Sequence, residues 1–346
     1  MNVHNRYELI MSITEECVSR DDLYNMLLNK KTIICYDGFE PSGKMHIAQG
    51  LMRSINTNKL TKAGCKFKFW IADWFAFMNN KFGRDMTKIR NAGKLMIEVW
   101  KACNMNMKNV EFLWSSKEID KNPSLYWSLV LDISTKFNLN RVIKCTEIMG
   151  RKDSDNLLSS QIFYPIMQCA DIFYLNVDIC SLGKDQRKVN MLSREYCEKV
   201  KSKHKPVILS HLMILGLNGK GKMSKSDPDN CIYMDDTDLD VEYKILKAFC
   251  QPDSVKNNPI FQYLEFIIFP YFNELVLETH FNKKKYSCYT KLCRDYMNKE
   301  ILPIDVKKML IIYINKALTP VRAYFENNED ARTLRDLVDS YYVEKN

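Results

Sequence analysis

No Cys-x-x-Cys pair occurs in this chain, although it holds 12 cysteines among 346 residues. They stand singly from Cys17 to Cys293. The closest distal pair, Cys288 and Cys293, lies in a Lys-rich stretch with no matching His or Cys cluster. That spacing argues against a zinc site, so no metal ligands are assigned. Scattered single thiols suit a reducing, cytosol-like compartment, and a cytoplasmic protein is expected. An apolar h-region is also missing: Met1–Leu9 carries Asn, His, Arg and Glu, so no secretory signal is expected. Long hydrophobic runs are absent too. Ile260–Phe272 is interrupted by Gln262, Glu265 and Pro270, so no membrane span is expected. There are no internal repeats, and low-complexity sequence is limited to Lys283-Lys284-Lys285.

What remains is the composition of a packed globule. Hydrophobic residues make up 46% and aromatics 12%. The length suits two domains, each able to bury its own core. Lys plus Arg is 51 against 42 Asp plus Glu, a net charge of +9. This excess is compatible with a polyanionic partner and equally with simple solubility.

Short β-rich runs alternate with helical patterns through the first two thirds. Thr32–Tyr36, Lys66–Ala72 and Val110–Trp114 read as strands. Helical periodicity runs over about Met45–Lys62 and Met86–Ala102. The alternation predicts a parallel sheet with helices on both faces. Strand signals vanish between Pro123 and about Ser160, which predicts a helical insertion, set at about 115–160. The α/β pattern then resumes with a helical Gln161–Leu175, a strand at Val177–Cys180, a helix at Asp185–Lys199 and a strand at Val207–Ser210. After Pro228 four helical segments follow: Asp238–Cys250, Ile260–Phe269, Tyr286–Asn298 and Pro303–Ala317. The expected division is a first domain over 1–235, with a loop at 216–230, and a helical domain over 236–346.

Three constellations carry chemistry. Pro41-Ser42-Gly43-Lys44-Met45-His46-Ile47-Ala48-Gln49-Gly50 follows the first predicted strand and opens the next helix. In open α/β sheets that crevice binds ligands, and a helix N-terminus attracts phosphate. Small residues at Ser42 and Gly43 permit close backbone approach, and His46 can donate to a phosphate oxygen. An ordinary helix start with an exposed His is the plain alternative. Gly221-Lys222-Met223-Ser224-Lys225-Ser226-Asp227-Pro228 lies in a Gly-punctuated loop. Two lysines beside two hydroxyls suit transient clamping of a triphosphate; the alternative is a solvated basic loop. Finally, a helix over Gln161–Leu175 puts Tyr164, Gln168 and Asp171 on one face at i, i+4 and i+7. Such a polar stripe in an apolar segment either faces a ligand or is hydrogen-bonded within the core.

The first two segments together resemble the HIGH and KMSKS signatures of class I aminoacyl-tRNA synthetases, which grip ATP in that family. KMSKS is complete at Lys222–Ser226, whereas Ala48 and Gln49 stand where the first signature has Gly and a second His. Tyr36–Gly43, Tyr164–Asp171 and Asp185-Gln186-Arg187-Lys188 are similar to the tyrosine pocket of tyrosyl-tRNA synthetases of the archaeal and eukaryotic type. The resemblance covers roughly residues 30 to 320. It implies an α/β, Rossmann-like doubly wound parallel sheet with a helical insertion, plus a C-terminal all-helical domain that binds the anticodon. It implies that Tyr36 and Asp171 hold a substrate phenol, while Tyr164, Gln168 and Gln186 surround its α-amino group. Gly43, His46, Met223, Ser224 and Lys225 would bind ATP, and His46, Gln49, Lys222 and Lys225 would serve catalysis. Gln49 can donate a hydrogen bond but carries no charge. Asp73 and Trp74 match a segment lining the pocket.

Arg187 and Lys188 would touch the acceptor stem of tRNA(Tyr); a plain basic helix face is the alternative. Ile301-Leu302-Pro303-Ile304-Asp305 resembles the family's His-Pro-x-Asp anticodon element, with Leu302 where His usually stands. Asp305 would read the anticodon, or else serve as an N-terminal helix carboxylate. The implied reaction is activation of L-tyrosine by ATP, with Mg²⁺ on the pyrophosphate, then transfer to tRNA. A homodimer through the insertion is expected. A minimal core is expected as well, because the chain stops soon after the helical part. Rival readings are a tryptophanyl-tRNA synthetase, a non-enzymatic RNA-binding relative and a small nucleotidyltransferase.

Overall fold

The computed structural model describes residues 1–150, 156–221, 223, 227–278 and 283–343. A six-stranded sheet lies at the centre, formed by β1 (Glu16–Val18), β2 (Ile33–Phe39), β3 (Cys65–Ile71), β4 (Val110–Trp114), β5 (Ile179–Gly183) and β6 (Val207–His211), in the order β1-β6-β5-β2-β3-β4. β2 through β6 are mutually parallel, and β1 closes one edge antiparallel to β6. The inner strands β2, β5 and β6 are largely buried, as a helix-covered parallel sheet requires, while the edge strand β4 is only partly buried and exposes Glu111. The chain leaves β2 toward β3 and β4, then returns to β5 on β2's other side. The order therefore reverses between β2 and β5, which is where open α/β sheets bind ligands.

Aromatic side chains fill the layer beside the sheet. Phe69 packs on Trp100 with ring centroids 4.5 Å apart, and Phe112 stacks on Trp100 at 5.8 Å. Trp100 belongs to the helix Met86–Ala102, whose residues Ile89, Ala92, Leu95, Met96, Val99 and Trp100 form its buried face. Asp85 starts this helix by accepting the backbone N–H groups of Thr87 (2.8 Å) and Lys88 (3.1 Å).

The segment after β2 departs from the simple helix expected over Met45–Lys62. A π-helical turn occupies Ala48–Met52, and regular α-helix begins only at Arg53. Met45–Ile47 is instead held like a strand against residues that follow the 216–230 loop. Ile47 N–H donates to Ile232 O at 2.8 Å, and Met234 N–H donates to Met45 O at 2.9 Å. The insertion contains the helices Pro123–Lys136 and Leu139–Ile143.

The C-terminal part contains helices, as expected, including Asp238–Lys247, Tyr289–Met297, Pro303–Asn327 and Glu329–Val343. It is not all helical, because β7 (Leu275–Glu278) and β8 (Lys283–Tyr286) pair antiparallel. Exposed lysines on β8 keep this short edge soluble. One apolar core runs through both parts, joining Phe67 and Leu95 to Ile314 and Val338. Among the described residues no helix is long and apolar enough to cross a membrane.

Candidate active site

A cleft of about 550 Å³ opens at the C-terminal ends of β2, β5 and β6, over the point where the strand order reverses. β2 contributes Tyr36, Asp37, Gly38 and Phe39, with Glu40 just beyond; the turn after β5 adds Asp185 and Gln186; the end of β6 adds His211. The helix Ser159–Tyr174 lies across the opening and presents Tyr164, Gln168 and Asp171 to the cleft. The i, i+4, i+7 stripe therefore faces a cavity as well as making hydrogen bonds, so both readings of it hold.

At the deep end, Asp171 is fully buried. Its Oδ1 accepts the hydroxyl of Tyr126 at 2.7 Å, whereas Oδ2 has no hydrogen-bond partner. Burial pushes the Asp171 carboxyl well above the usual carboxylate range, and the Tyr126 hydroxyl and the nearby Trp70 indole oppose that push. Tyr36 is likewise buried, and burial with the nearby Asp171 charge raises its phenol. A side chain at Gly38 would bring its Cβ within 3.1 Å of the Tyr36 hydroxyl, so glycine keeps that hydroxyl clear. A buried carboxylate oxygen without a partner is costly. It marks where a hydroxyl-bearing ligand would end.

Nearer the mouth, Gln168 donates to Gln186 at 3.1 Å, which brings together two residues distant in sequence. Tyr164 donates its hydroxyl to Glu40 at 2.6 Å and packs edge-on against Phe75, centroids 4.8 Å apart. Glu40 also accepts both 3.0 Å hydrogen bonds from the Asn79 amide and faces the Lys81 ammonium at 3.5 Å. Tyr164, Gln168, Gln186 and Glu40 thus make an acceptor-rich collar suited to an ammonium group.

Under the floor, Arg53 is buried and pairs with Asp37. It donates to Ser181 O at 2.6 Å and lies 5.0 Å from the Phe67 ring centroid. Burial raises the Asp37 carboxyl against the pull of Arg53. Both ring nitrogens of His211 are buried without a partner, and burial, with the Arg53 charge, holds its imidazole down at about 3. His211 is therefore neutral at physiological pH.

His46, Gln49, Ser42 and Met223 line the same cleft. The Gln49 side-chain oxygen is buried and unpaired. Met223 is 8% exposed, with its sulfur 3.8 Å from the Tyr263 hydroxyl. The stem of the loop is pinned: Gly216 N–H donates to Gly221 O at 3.0 Å and Leu217 N–H to Asn230 O at 2.9 Å. Lys222, Ser224 and Lys225 lie outside the described residues. Gly43 does not line the cleft; it abuts Tyr342 of the last helix.

Asp73 and Trp74, expected at the pocket wall, do not line it; their neighbours Ala72 and Phe75 do. Asp73 is instead a buried tie, accepting the Ser115 and Ser116 hydroxyls at 2.6 Å each. Arg187 and Lys188 sit outside the cleft. Arg187 makes a forked pair with Glu16 (2.7 and 2.9 Å), and Lys188 pairs with Glu147. These are exposed pairs, cheap to exchange for phosphate. Asp305 accepts the backbone N–H of Leu302 at 3.3 Å, the capping role expected of a first-turn carboxylate.

Glu40, Arg53 and His211 also line the cleft and Tyr126 holds Asp171, although no motif marks these four for the site; the nearest signal is Glu40's place three residues before Gly43. Tyr126 lies in the insertion, and nothing in its neighbours pointed to Asp171.

Comparison with known proteins agrees with this geometry. A family model described as tRNA synthetases class I (W and Y) matches residues 28–319. A cytoplasmic tyrosine–tRNA ligase of Arabidopsis thaliana is 50% identical over 345 residues, covering 99% of this chain and 90% of the relative. The Leishmania major tyrosyl-tRNA synthetase solved with tyrosinol is 45% identical with a TM-score of 0.94; it covers 99% of this chain, which spans 66% of that longer one. The Archaeoglobus fulgidus enzyme solved with L-tyrosine is 29% identical with a TM-score of 0.86, covering 94% of this chain and 99% of its own. A family model matching most of the chain, and a relative 50% identical along nearly its whole length, place this protein in the tyrosyl-tRNA synthetase family of class I tRNA synthetases.

Proposed function

We propose that this chain is a tyrosine–tRNA ligase that activates L-tyrosine with ATP and transfers it to tRNA(Tyr). The observation that carries the reading is the unpaired Oδ2 of buried Asp171 beside the Tyr36 phenol. A tyrosine hydroxyl donates to Oδ2 and accepts from Tyr36, satisfying groups that a phenyl ring leaves bare. Indole offers a single N–H donor and no acceptor, so it cannot serve both partners. The ammonium end is bound by Tyr164, Gln168 and Gln186, with Glu40 orienting the Tyr164 hydroxyl. The tyrosinol and L-tyrosine complexes of the relatives support the same class of ligand.

The tyrosine carboxylate attacks the α-phosphorus of ATP in line. The bond from that phosphorus to the bridging oxygen breaks, giving tyrosyl-adenylate and pyrophosphate. The carboxylate is already ionised, so no protein base is needed, and positioning with charge stabilisation dominates. His46, Gln49 and Met223 serve the nucleotide from the cleft wall, with Gly43 behind them in the loop that carries Ser42 and His46. Lys222, Ser224 and Lys225 complete the grip. Mg²⁺ suits the pyrophosphate oxygens, because it commonly binds through substrate phosphates. In the second step a ribose hydroxyl of the tRNA's terminal adenosine attacks the tyrosyl carbonyl, and AMP leaves.

Residues 1–235 serve as the catalytic unit and 236–346 as the anticodon unit, with Asp305 toward the anticodon and Arg187 and Lys188 toward the acceptor stem. The protein works as a homodimer in the cytoplasm. Leu125, Trp127, Leu131 and Leu139 form an exposed apolar face on the insertion, with Leu131 65% exposed, and a second copy suits it. ATP–pyrophosphate exchange measured with tyrosine, tryptophan and phenylalanine tests the reading. Exchange driven by tyrosine alone supports it, and exchange driven by tryptophan overturns it.

A further inference from the structure

The last helix reaches back to the loop that carries the first nucleotide motif. Gly43 has φ +112°, a conformation glycine adopts freely, and a Cβ placed there would lie 1.8 Å from the Tyr342 hydroxyl. The backbone therefore meets a side chain of the C-terminal helix with no room between them. The next residue, Lys44, is held by two carboxylates from separate parts of the chain. Asp235 closes the segment that follows the 216–230 loop, and Asp339 lies on the C-terminal helix 3.4 Å from the same ammonium. Beyond Lys44, Met45 and Ile47 are bonded to Met234 and Ile232 at 2.9 and 2.8 Å.

The helix is itself firmly seated. Val338 is fully buried, the Tyr341 hydroxyl accepts the Asn91 amide at 2.9 Å, and the Tyr342 ring packs on Phe82 with centroids 5.9 Å apart. The same end is tied to the helix Met86–Ala102 through Asn91, so it can act as a fixed post.

We propose that the C-terminal helix Glu329–Val343 braces the nucleotide loop, with Asp339 and Tyr342 as positioning residues. By fixing Lys44 and Gly43 they set where Ser42 and His46 stand in the cleft. Neither residue touches substrate; both act through the loop. The proposal rests on the reading that ATP is gripped at this loop. Loosening the brace misplaces nucleotide contacts, whereas Tyr164, Gln168, Gln186 and Asp171 stand on other elements and keep their places.

The test is ATP–pyrophosphate exchange on the full chain, with KM for ATP and KM for tyrosine measured separately in wild type, Asp339→Asn and Tyr342→Ala. The brace predicts a rise of about two- to tenfold in KM for ATP in each variant, with KM for tyrosine within error of wild type. Asp339→Glu, which keeps the charge, recovers most of the loss. Asp339→Asn is nearly isosteric and carries the test if Tyr342→Ala folds poorly. Unchanged KM for ATP in an active Asp339→Asn variant overturns the brace. So does an equal rise in both KM values, which is what general loosening of the fold would produce. A wild-type chain without tyrosine-dependent exchange overturns the functional reading itself, and the brace with it.

Discussion

Replacing Asp171 with Asn separates recognition of the phenol from everything else in the pocket. Asp171 is fully buried, one oxygen is held by Tyr126 at 2.7 Å, and the other is unpaired. Asn keeps the shape, and its amide oxygen can still accept from Tyr126, so the fold is preserved. Burial already favours the neutral carboxyl in the empty pocket, which is a further reason the amide is tolerated. Hydroxyl donors from the bound tyrosine and Tyr126 favour the ionised carboxylate in the filled pocket, and Asn removes that charged acceptor. Such a hydrogen bond contributes about 1.5–3 kcal/mol, equivalent to about a 10- to 150-fold loss in kcat/KM for tyrosine. Phenylalanine never made that bond, so its kcat/KM stays level or rises slightly. The ratio of the two, measured by pyrophosphate exchange, therefore falls by the full factor. Tyr36→Phe removes a neutral partner of the same oxygen, worth about 0.5–1.5 kcal/mol, and lowers the ratio by about 2- to 13-fold. If both amino acids lost activity equally in Asp171→Asn, the carboxylate would be structural and the reasoning refuted.

Tyr126→Phe leaves Asp171 Oδ1 bare in a dry site, so chemical denaturation should show a loss of about 1–3 kcal/mol. KM for tyrosine should rise in the same variant while KM for ATP holds. His211 gives a pH signature. Its imidazole is held at about 3 by burial, against an ordinary 6.5, so the unfolded chain takes up a proton below pH 6.5 that the folded chain refuses. Its contribution to stability is present above pH 6.5 and declines as pH falls, by about 2 kcal/mol at pH 5. Asp37, raised by burial, has the opposite slope, since the folded chain takes up its proton first. Comparing wild type with His211→Gln cancels Asp37 and isolates the histidine: the variant should lose less stability between pH 7 and pH 5. A parallel loss in both proteins would contradict the assignment. Leu131→Asp places a charge in the exposed face of the insertion and should shift sedimentation from dimer toward monomer, with little change in secondary structure. A variant that sediments as a dimer like wild type would count against that interface.

Much of the sheet was legible because its strands are short apolar runs between helical patterns. Val110–Trp114 and the helix Met86–Ala102 fall at the boundaries read from the sequence, the latter because Asp85 caps it. β1 spans three residues, too few for any alternation to show, and its place depends on pairing with β6. The π-helical turn at Ala48–Met52 follows from tethering of Met45–Ile47 to Ile232–Met234, a contact nearly 190 residues apart in sequence. Lys283–Tyr286 has a composition that suits no strand, and it becomes one by pairing with Leu275–Glu278. The helix read as Pro303–Ala317 runs on through Pro320 to Asn327 and buries Val321 and Phe325. In the site, the stripe Tyr164, Gln168 and Asp171 was readable because helical spacing is local. Tyr126 was not, since its meeting with Asp171 depends on how two helices pack. Glu40 gains its role only when Tyr164, Asn79 and Lys81 converge on it.

The most direct test is a crystal structure of this protein with L-tyrosine bound. The account predicts the phenolic oxygen about 2.5–3.0 Å from both Asp171 Oδ2 and the Tyr36 hydroxyl, with the ammonium among Tyr164, Gln168 and Gln186. A tyrosine bound elsewhere, or seated with its ammonium on Asp171, would contradict it.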